Sequence, residues 1–287
     1  MKYFIGVDGG GTGTRVRIID EKNSIIGEAK GASSALVHGR SQAWTNIIST
    51  ISQAFSDAKI TVPKLSECSV GMGLSGANNH YWKNEFILLN PGFHQLVVES
   101  DGLTTLLGAH ENLPGIIIAL GTGSIGMSKD EHGNLKSVSG WGYPSGDEAS
   151  GSWLGISALR YTEKVMDGRR VASPLSQDVQ AHCGQDAKSL LKWLSSAGPK
   201  EYASLAPLIF QHSHHDQFAR DLIDHAIKDI EEMLIALDSS FKLPFSLCGN
   251  LGMRFVDYLP QPLKSRHINP KGDSVDGALS LVRGNIL

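Results

Sequence analysis

MKYFIGVDGGGTGTR, residues 1–15, joins a short apolar run to an aspartate and a cluster of glycines. The apolar run predicts a strand over 3–7 that leads into Asp8, and the period-two alternation of residues 14–19 predicts a second strand. Glycines in such a turn permit a positive φ and let backbone N–H groups approach a ligand, while threonine hydroxyls add donors. These are the parts of a phosphate-binding turn, and its candidate residues are Gly9, Gly10, Gly11, Thr12 and Thr14.

The residues around this turn exclude two common nucleotide-binding motifs. No Walker lysine follows the glycines, and a strand rather than a helix follows the turn, so neither a P-loop nor a Rossmann dinucleotide site is expected. Asp8 would hold Mg²⁺ beside the phosphates, directly or through its water shell. A single run of this kind is equally compatible with an ordinary glycine-rich hairpin.

Composition narrows the class of protein. The chain has 287 residues, of which 41% are hydrophobic, and this length favours two domains. A formal net charge of −3 gives no basic surface for nucleic acid or for an anionic membrane. No apolar run approaches the roughly 20 residues of a membrane helix, and the N-terminus lacks a secretory apolar region. We therefore predict a cytoplasmic protein with no nucleic-acid or membrane partner.

Cysteines and histidines give no metal motif. The cysteines are widely separated and odd in number, which argues against a disulfide framework and a CxxC site; they are Cys68, Cys183 and Cys248. A histidine cluster at 212–215 lies in a polar stretch just before a predicted helix. We interpret it as a solvated helix start rather than a set of metal ligands.

The first half of the chain alternates strand and helix patterns. After the opening hairpin the predicted elements are a strand (24–30), a helix (40–58), a strand (68–74), a helix (82–89), a strand (95–99) and a helix (103–110). Together with the hairpin they give the order βββαβαβα. That order is typical of the ribonuclease H-like fold.

The pattern begins again in the second half. The predicted elements are strands at 116–120, 125–129 and 135–139, a helical insertion at 148–237, a strand at 244–248, a helix through 253–258, a short strand near 266–268 and a helix from 273. We predict an α/β protein of two ribonuclease H-like domains around an interdomain cleft. The domains are 1–113 and 114–272, and a C-terminal helix at 273–287 packs back on the first.

The second half also repeats the glycine turn. The strands at 116–120 and 125–129 are joined by a second set of candidate phosphate-binding residues: Gly121, Thr122, Gly123 and Ser124. Two such turns on two like domains can bind the phosphates of one nucleotide through backbone N–H groups and hydroxyls. The pair, with Asp8 and the later Gly249-Asn250 turn, indicates ATP binding.

At this point the sequence resembles a known group of kinases. It is similar to the N-acetylglucosamine and glucosamine kinases of the BadF-type ATPase family, within the actin, hexokinase and acetate kinase superfamily. The resemblance rests on the stretches at 6–12, 73–76, 100–101, 121–124 and 140–153. The last of these, GWGYPSGDEASGSW, is the most specific, because it separates amino-sugar kinases from most other branches.

The resemblance implies an ATP- and Mg²⁺-dependent kinase that phosphorylates the primary hydroxyl of an amino hexose. Asp101 would be the general base, since an aspartate at a strand end can take the proton from the hydroxyl. A simpler role for Asp101 is the N-cap of the helix that follows, and the two roles are compatible. Gly249 and Asn250 would bind adenosine.

The resemblance also implies the sugar-binding residues, which are Asp101, Thr122, Trp141, Gly142, Asp147 and Ser34. Three roles stay open for Glu148: a sugar contact, a contact with metal-bound water, or a favourable charge in the first helical turn.

One departure from the family pattern bears on the substrate. N-acetylglucosamine kinases of this type carry Ser-Thr-Asn in the sugar-facing loop, and the asparagine contacts the sugar. Here the loop is Ser33-Ser34-Ala35. Because the asparagine is missing, free glucosamine becomes a candidate substrate beside N-acetylglucosamine.

Two other classes share the fold, besides other sugar kinases of the superfamily. An ATPase activator of a radical dehydratase would need thiolate ligands for an iron–sulfur cluster, which the isolated cysteines disfavour. A nucleotide switch or filament protein of the actin type would have no need of the GWG…GDE stretch. For the kinase, we also consider a homodimer.

Overall fold

The opening hairpin forms three antiparallel strands, in a computed structural model that describes residues 3–283. They are β1 (Tyr3–Gly9), β2 (Thr14–Ile19) and β3 (Ile25–Gly31). In β2 the side chains alternate between buried and half-buried up to Ile18, as the period-two pattern predicts. The register pairs Gly9 with Thr14 and Asp8 with Arg15, so the glycine turn lies beyond the ends of both strands.

Two further strands extend this sheet on the other side of β1. The elements are α1 (Arg40–Asp57), β4 (Cys68–Leu74), α2 (His80–Leu88), β5 (Gln95–Ser100) and α3 (Asp101–Ala109). The strand order is β3-β2-β1-β4-β5, with β4 parallel to β1 and β5 parallel to β4. Every residue of β4 is buried, which is usual for a central parallel strand covered on both faces.

A second sheet has the order β8-β7-β6-β9. Its strands are β6 (Gly115–Leu120), β7 (Ser124–Lys129), β8 (Leu135–Val138) and β9 (Phe245–Cys248). The first three strands and β9 repeat the order of β3-β2-β1-β4. The fold class predicted from the sequence, two ribonuclease H-like sheets with helices, is confirmed.

Helices fill the segment between β8 and β9. They are α4 (Gly151–Met166), α5 (Pro174–Cys183), α6 (Ala187–Leu194), α7 (Pro199–Ala203), α8 (Ala206–His212) and α9 (Gln217–Leu237). After β9 come α10 (Gly249–Phe255), α11 (Gln261–Lys264) and α12 (Ser274–Arg283). The strand predicted near 266–268 is wrong, since only an isolated parallel bridge joins His267 to Phe245.

The chain divides into two compact units. Of the described residues, 3–115, 131–133 and 269–283 form unit 1, and 116–130 with 134–268 form unit 2. Unit 1 therefore includes α12. The predicted helix reaches 287, and its residues 284–287 lie outside the described residues.

Glycines let α12 pack directly against α3 and the first sheet. A Cβ on Gly277 would lie 1.8 Å from the carbonyl oxygen of Thr104, and one on Gly71 would lie 1.9 Å from that of Ala278. Such distances are far below van der Waals contact, so backbone meets backbone at these positions. Within residues 3–283, no helix combines the length and the apolar character that crossing a membrane requires.

Candidate functional site

The glycine turn of unit 1 is closed by a hydrogen bond from Gly10 N–H to the carbonyl oxygen of Gly13, at 2.9 Å. The expectation of positive φ is wrong here, because none of the glycines at 9–13 has a left-handed φ. The absence of a side chain matters for space instead, at Gly9 for a neighbouring side chain and at Gly11 for a ligand. A Cβ on Gly9 would lie 2.1 Å from Ser34 Oγ, whereas a Cβ on Gly11 would meet nothing within 4 Å. Gly11 and Thr12 are exposed, and their backbone is open to a ligand.

Two hydroxyls that were predicted to contact ligands, those of Thr14 and Ser34, form hydrogen bonds next to this turn instead. Thr14 is 1% exposed, and its hydroxyl donates to the carbonyl oxygen of Ala32 at 2.6 Å. Ser34 has no exposed surface, and its Oγ lies 2.7 Å from that of Thr14. The expected hydroxyl contacts of Thr14 with phosphate and of Ser34 with sugar therefore find no support. Both side chains hold the loop 32–34 against the hairpin.

The contrast between Gly9 and Gly11 gives a test of the turn. We expect Gly11→Ala to keep the melting temperature of the wild type and to raise the KM for ATP about tenfold or more, since a methyl group would hold the phosphates off the backbone. Gly9→Ala should instead lower the melting temperature, because Ser34 fills the space. An unchanged KM for ATP in Gly11→Ala would contradict a phosphate-binding turn.

Asp8 lies at the end of β1 in a network of charges. Its Oδ2 accepts hydrogen bonds from Arg15 Nε at 3.0 Å and Nη2 at 2.8 Å, and its Oδ1 accepts one from Ser274 Oγ at 3.0 Å. Arg15 also donates to Asp273 at 2.8 Å. Desolvation lowers the pKa of Arg15, but its two carboxylate partners outweigh this and the pKa is raised.

This network limits how Asp8 could hold a metal. Both carboxylate oxygens of Asp8 already accept hydrogen bonds from protein groups. Within residues 3–283, no cluster of three or more ligating side chains is placed to hold a metal ion. The residues therefore fit a Mg²⁺ ion that is carried by ATP phosphates and water and is contacted by Asp8 through that water.

Asp101 is the first residue of α3. The N-cap role considered for it is wrong, because Ser100 is the N-cap and accepts a hydrogen bond from Leu103 N–H at 3.2 Å. The Asp101 carboxylate accepts local backbone bonds, among them one to Oδ1 from Gly102 N–H at 2.9 Å. Burial, and next the negative charge of Asp8, raises the pKa of Asp101 to about 6. A carboxyl with this pKa can act as a base near neutral pH.

Arg15, Asp273 and Ser274 were missed in the sequence analysis. The cross-strand register of the hairpin, which places Arg15 opposite Asp8, could have identified the first of them. No local signal could have identified the other two, because 258 residues separate Arg15 from Asp273.

The glycine turn of unit 2 is also closed by a backbone hydrogen bond, although this bond spans one residue fewer than that of unit 1. Gly121 N–H donates to the carbonyl oxygen of Gly123 at 2.9 Å. A Cβ on Gly121 would meet nothing within 4 Å, so this turn also presents open backbone. Thr122 is half-buried, whereas Ser124 is only 6% exposed.

Asp147 lies against this second turn. It is 8% exposed, and a Cβ on Gly123 would lie 2.8 Å from its Oδ2. Its carboxylate accepts hydrogen bonds from the backbone N–H groups of Ser124 and Gly142, which lower its pKa, but burial has the larger effect and the pKa is raised. Trp141, on the same loop, is 86% exposed and free to stack on a ligand.

Glu148 follows Asp147 but precedes the helix. Because Ser150 is the N-cap of α4, the first-turn role considered for Glu148 is wrong. Its Oε2 accepts a hydrogen bond from Ser139 Oγ at 2.6 Å.

Gly249 and Asn250 begin α10 directly after β9. Gly249 has φ 81°, and a Cβ there would lie 2.4 Å from the carbonyl oxygen of Leu120. Glycine is therefore required where the strand turns into the helix. Both residues are exposed, as an adenosine contact would need.

The histidine cluster differs from the prediction of a solvated helix start. His212 is 7% exposed, and its Nε2 lies 2.7 Å from Asp178 Oδ2. Its Nδ1 lies 2.9 Å from Nε2 of His215, so the two rings share a hydrogen bond. The cluster joins α5 to the end of α8.

Comparison with known proteins gives matches along most of the chain. A sequence model of the BadF/BadG/BcrA/BcrD ATPase family matches residues 5–272. The glucosamine kinase GspK of Vibrio cholerae is 31% identical over 280 residues, which cover 97% of this chain and 95% of that protein.

Solved structures agree with the fold. A candidate N-acetylglucosamine kinase from Chromobacterium violaceum superimposes with a TM-score of 0.96 and 43% identity over 99% of each chain. A ROK family glucokinase from Streptomyces griseus, in complex with glucose and AMPPNP, gives a TM-score of 0.58 at 18% identity, over 98% of this chain and 99% of that one. The second match supports the fold alone.

Proposed function

The chain belongs to the BadF/BadG/BcrA/BcrD ATPase family, and from this premise we propose that it is an ATP-dependent amino-sugar kinase. It transfers the γ-phosphoryl group of ATP to the primary hydroxyl of glucosamine or N-acetylglucosamine. The observation that carries the proposal is Asp101, a half-buried carboxyl that accepts local backbone bonds and has a pKa of about 6. It lies in unit 1, the same unit as the exposed glycine turn and Asp8.

In this mechanism Asp101 accepts the proton of the sugar's primary hydroxyl as the oxygen attacks the γ-phosphorus. The N–H groups of the two glycine turns donate to the phosphate oxygens and stabilise the charge that develops during transfer. Mg²⁺, when bound, neutralises phosphate charge, and Asp8 would hold it through water. Arg15 orients the Asp8 carboxylate through two hydrogen bonds.

Further sugar contacts are proposed for residues of unit 2. Trp141 offers an exposed aromatic face to the pyranose ring. Gly142 N–H donates to the Asp147 carboxylate, and Thr122 belongs to the turn against which Asp147 lies. Asp147 uses part of its carboxylate on backbone N–H groups, which leaves its remaining lone pairs for a sugar hydroxyl. Gly249 and Asn250 remain the proposed adenosine contacts.

The cysteines disfavour the rival function of a dehydratase activator. All three lie in the described part of the chain and are buried. Burial raises the pKa of the Cys248 thiol to about 12 and those of Cys68 and Cys183 to about 11. Buried thiols with such pKa values are poor ligands for a cluster shared between subunits.

A coupled assay of ADP release tests the proposed function. The enzyme is supplied with ATP, Mg²⁺ and, in turn, glucosamine, N-acetylglucosamine, glucose or no sugar. We expect an amino sugar to raise the rate well above the rate without sugar. We also expect glucosamine to be preferred, because Ala35 stands where the related kinases carry an asparagine.

Each outcome of this assay has a distinct meaning. Preference for N-acetylglucosamine would contradict the inference that Ala35 favours glucosamine, but it would still support an amino-sugar kinase. ADP release that ignores every sugar would overturn the kinase and favour an ATPase. A cytoplasmic location and a homodimer stay predictions from the sequence, and light scattering of the purified protein tests the dimer.

A further inference from the structure

A short hydrogen-bonded chain runs from the glycine turn of unit 2 to the loop that carries Trp141. The Ser139 hydroxyl donates to Glu148 Oε2 at 2.6 Å. The Ser124 Oγ lies 3.5 Å from that of Ser139, at the long end of a hydrogen bond. Ser139 thus lies between the last residue of the turn and the carboxylate next to Asp147.

This chain is one of several contacts that fasten the loop to the turn. The Asp147 carboxylate accepts a bond from Ser124 N–H. In the first turn of α4, Gly151 N–H donates to the carbonyl oxygen of Gly121 at 2.8 Å, and Ser152 N–H donates to that of Thr122 at 3.1 Å. The backbone of the turn is therefore held at its end by the loop and at its start by α4.

The direction of the bonds makes Glu148 the end of the chain. An ionised carboxylate only accepts hydrogen bonds, so the single proton of the Ser139 hydroxyl is directed to Glu148. Ser139 Oγ can then only accept a hydrogen bond from the Ser124 hydroxyl. Glu148 thereby fixes the rotamer of Ser139, and a charge-assisted bond of this length is stronger than a neutral one.

The backbone of the loop needs such support. Ser139, Asp147 and Ala149 have φ values of 59°, 63° and 61°, in the left-handed region that side chains rarely adopt. Strain of this kind persists only where surrounding contacts hold it. The bond between Ser139 and Glu148 joins two parts of the strained segment, one at each end.

We propose that Ser139 and Glu148 are positioning residues that hold two segments of unit 2 in one arrangement. These segments are the loop 139–149, which carries Trp141, and the glycine turn 121–124. The proposal rests on the proposed kinase function. Neither residue needs to touch substrate. Their bond keeps Asp147 and the N–H groups of residues 121–124 in the relative positions that transfer requires, and its loss lets the two segments move independently.

Four variants test this role against a matched control. Ser139→Ala and Glu148→Ala remove the bond, whereas Glu148→Gln keeps an oxygen that accepts it. The control is Ser137→Ala, at an exposed serine of β8 two residues before Ser139. We expect kcat to fall about tenfold in each alanine variant, where the charge-assisted bond is lost, and to stay within about threefold of the wild type in Glu148→Gln, where a neutral bond replaces it. Ser137→Ala should match the wild type.

The double variant Ser139→Ala/Glu148→Ala sharpens the test. If the two side chains act through one bond, the double variant should lose no more than either single variant. Hydrogen exchange adds a readout that does not depend on activity. We expect faster exchange in peptides that cover 121–124 for both alanine variants but not for Glu148→Gln.

Several results would overturn the proposal. If Glu148→Gln is as impaired as Glu148→Ala while Ser139→Ala is normal, Glu148 acts by its charge on substrate or metal-bound water. If the variants lose only melting temperature and keep kcat, the bond is merely structural. If the wild type phosphorylates no sugar, the proposed function fails. The positioning role is rejected separately, if hydrogen exchange at 121–124 is the same in the alanine variants as in the wild type.

Discussion

Replacing Asp101 by asparagine is expected to abolish phosphoryl transfer and to leave ATP binding intact. Loss of the base should cost about 10²–10⁴-fold in kcat, because asparagine cannot accept the proton of the sugar hydroxyl. Binding of an ATP analogue, measured by calorimetry, should stay within a few-fold of the wild type, since the phosphates are bound by glycine turns. Near-normal turnover in Asp101→Asn would remove Asp101 from the role of base.

The pKa of Asp101 adds a pH profile to this test. The base must be ionised, and its pKa is raised from 3.8 to about 6. We therefore expect kcat/KM of the wild type to rise with pH through about 6 and to level off above it. A profile that stays flat from pH 5 to pH 8 would contradict the assignment.

The raised pKa of Asp101 also predicts that a rise in pH lowers the stability of the folded protein, whereas it raises the activity. Since the folded protein binds the Asp101 proton more tightly than the unfolded chain does, ionisation of Asp101 costs stability as pH rises from 3.8 through about 6. Asp101→Asn should remove a cost on the order of 3 kcal/mol. Its melting temperature should exceed that of the wild type at pH 8, and the two should converge near pH 4.

Replacing Gly277 by alanine is expected to destabilise the protein strongly. The new Cβ would lie 1.8 Å from the carbonyl oxygen of Thr104 and 2.8 Å from Gly108 N, and both are backbone atoms of α3 that no rotamer change can move. We expect a loss of about 3 kcal/mol or more. At about 2–4 °C per kcal/mol, thermal melting followed by circular dichroism should show a fall on the order of 10 °C.

The control for Gly277→Ala lies on the same helix. Ser280 is half-buried, and its hydroxyl donates only to the carbonyl oxygen of Gly277, at 2.7 Å. Ser280→Ala should therefore change stability by less than about 1 kcal/mol. Equal stability of the two variants would mean that α12 does not pack against α3 as described.

Regular elements were predictable where one pattern dominates. The predicted strand 68–74 coincides with β4 (Cys68–Leu74), and the predicted helix 40–58 differs from α1 (Arg40–Asp57) by one residue. Both have long, unbroken periodicity. The helix predicted at 103–110 begins two residues earlier, because Ser100 competes with Asp101 for the N-cap position and takes it.

The motifs of the site were predictable from sequence, but the directions of individual side chains were not. The resemblance to the BadF-type ATPases is confirmed by the family match over residues 5–272. In contrast, the hydroxyls of Thr14 and Ser34 face each other inside unit 1, and their spacing in sequence gives no sign of this. Such contacts depend on how the loop 32–34 folds over the hairpin, which local pattern does not encode.

The position of α12 has a consequence for the order in which a nascent chain can fold. α12 covers β1 and β4, where a Cβ on Gly6 would lie 2.5 Å from the carbonyl oxygen of Val275 and one on Gly71 would lie 1.9 Å from that of Ala278. The ribosome makes the first sheet early and must translate all of unit 2 before this helix emerges. Until then α3 covers part of this face of the first sheet, at Gly73, and the part that α12 covers stays exposed to chaperones or to misassembly. Unit 2 is nearly continuous in sequence, so it can complete its fold before unit 1, which needs the residues of α12.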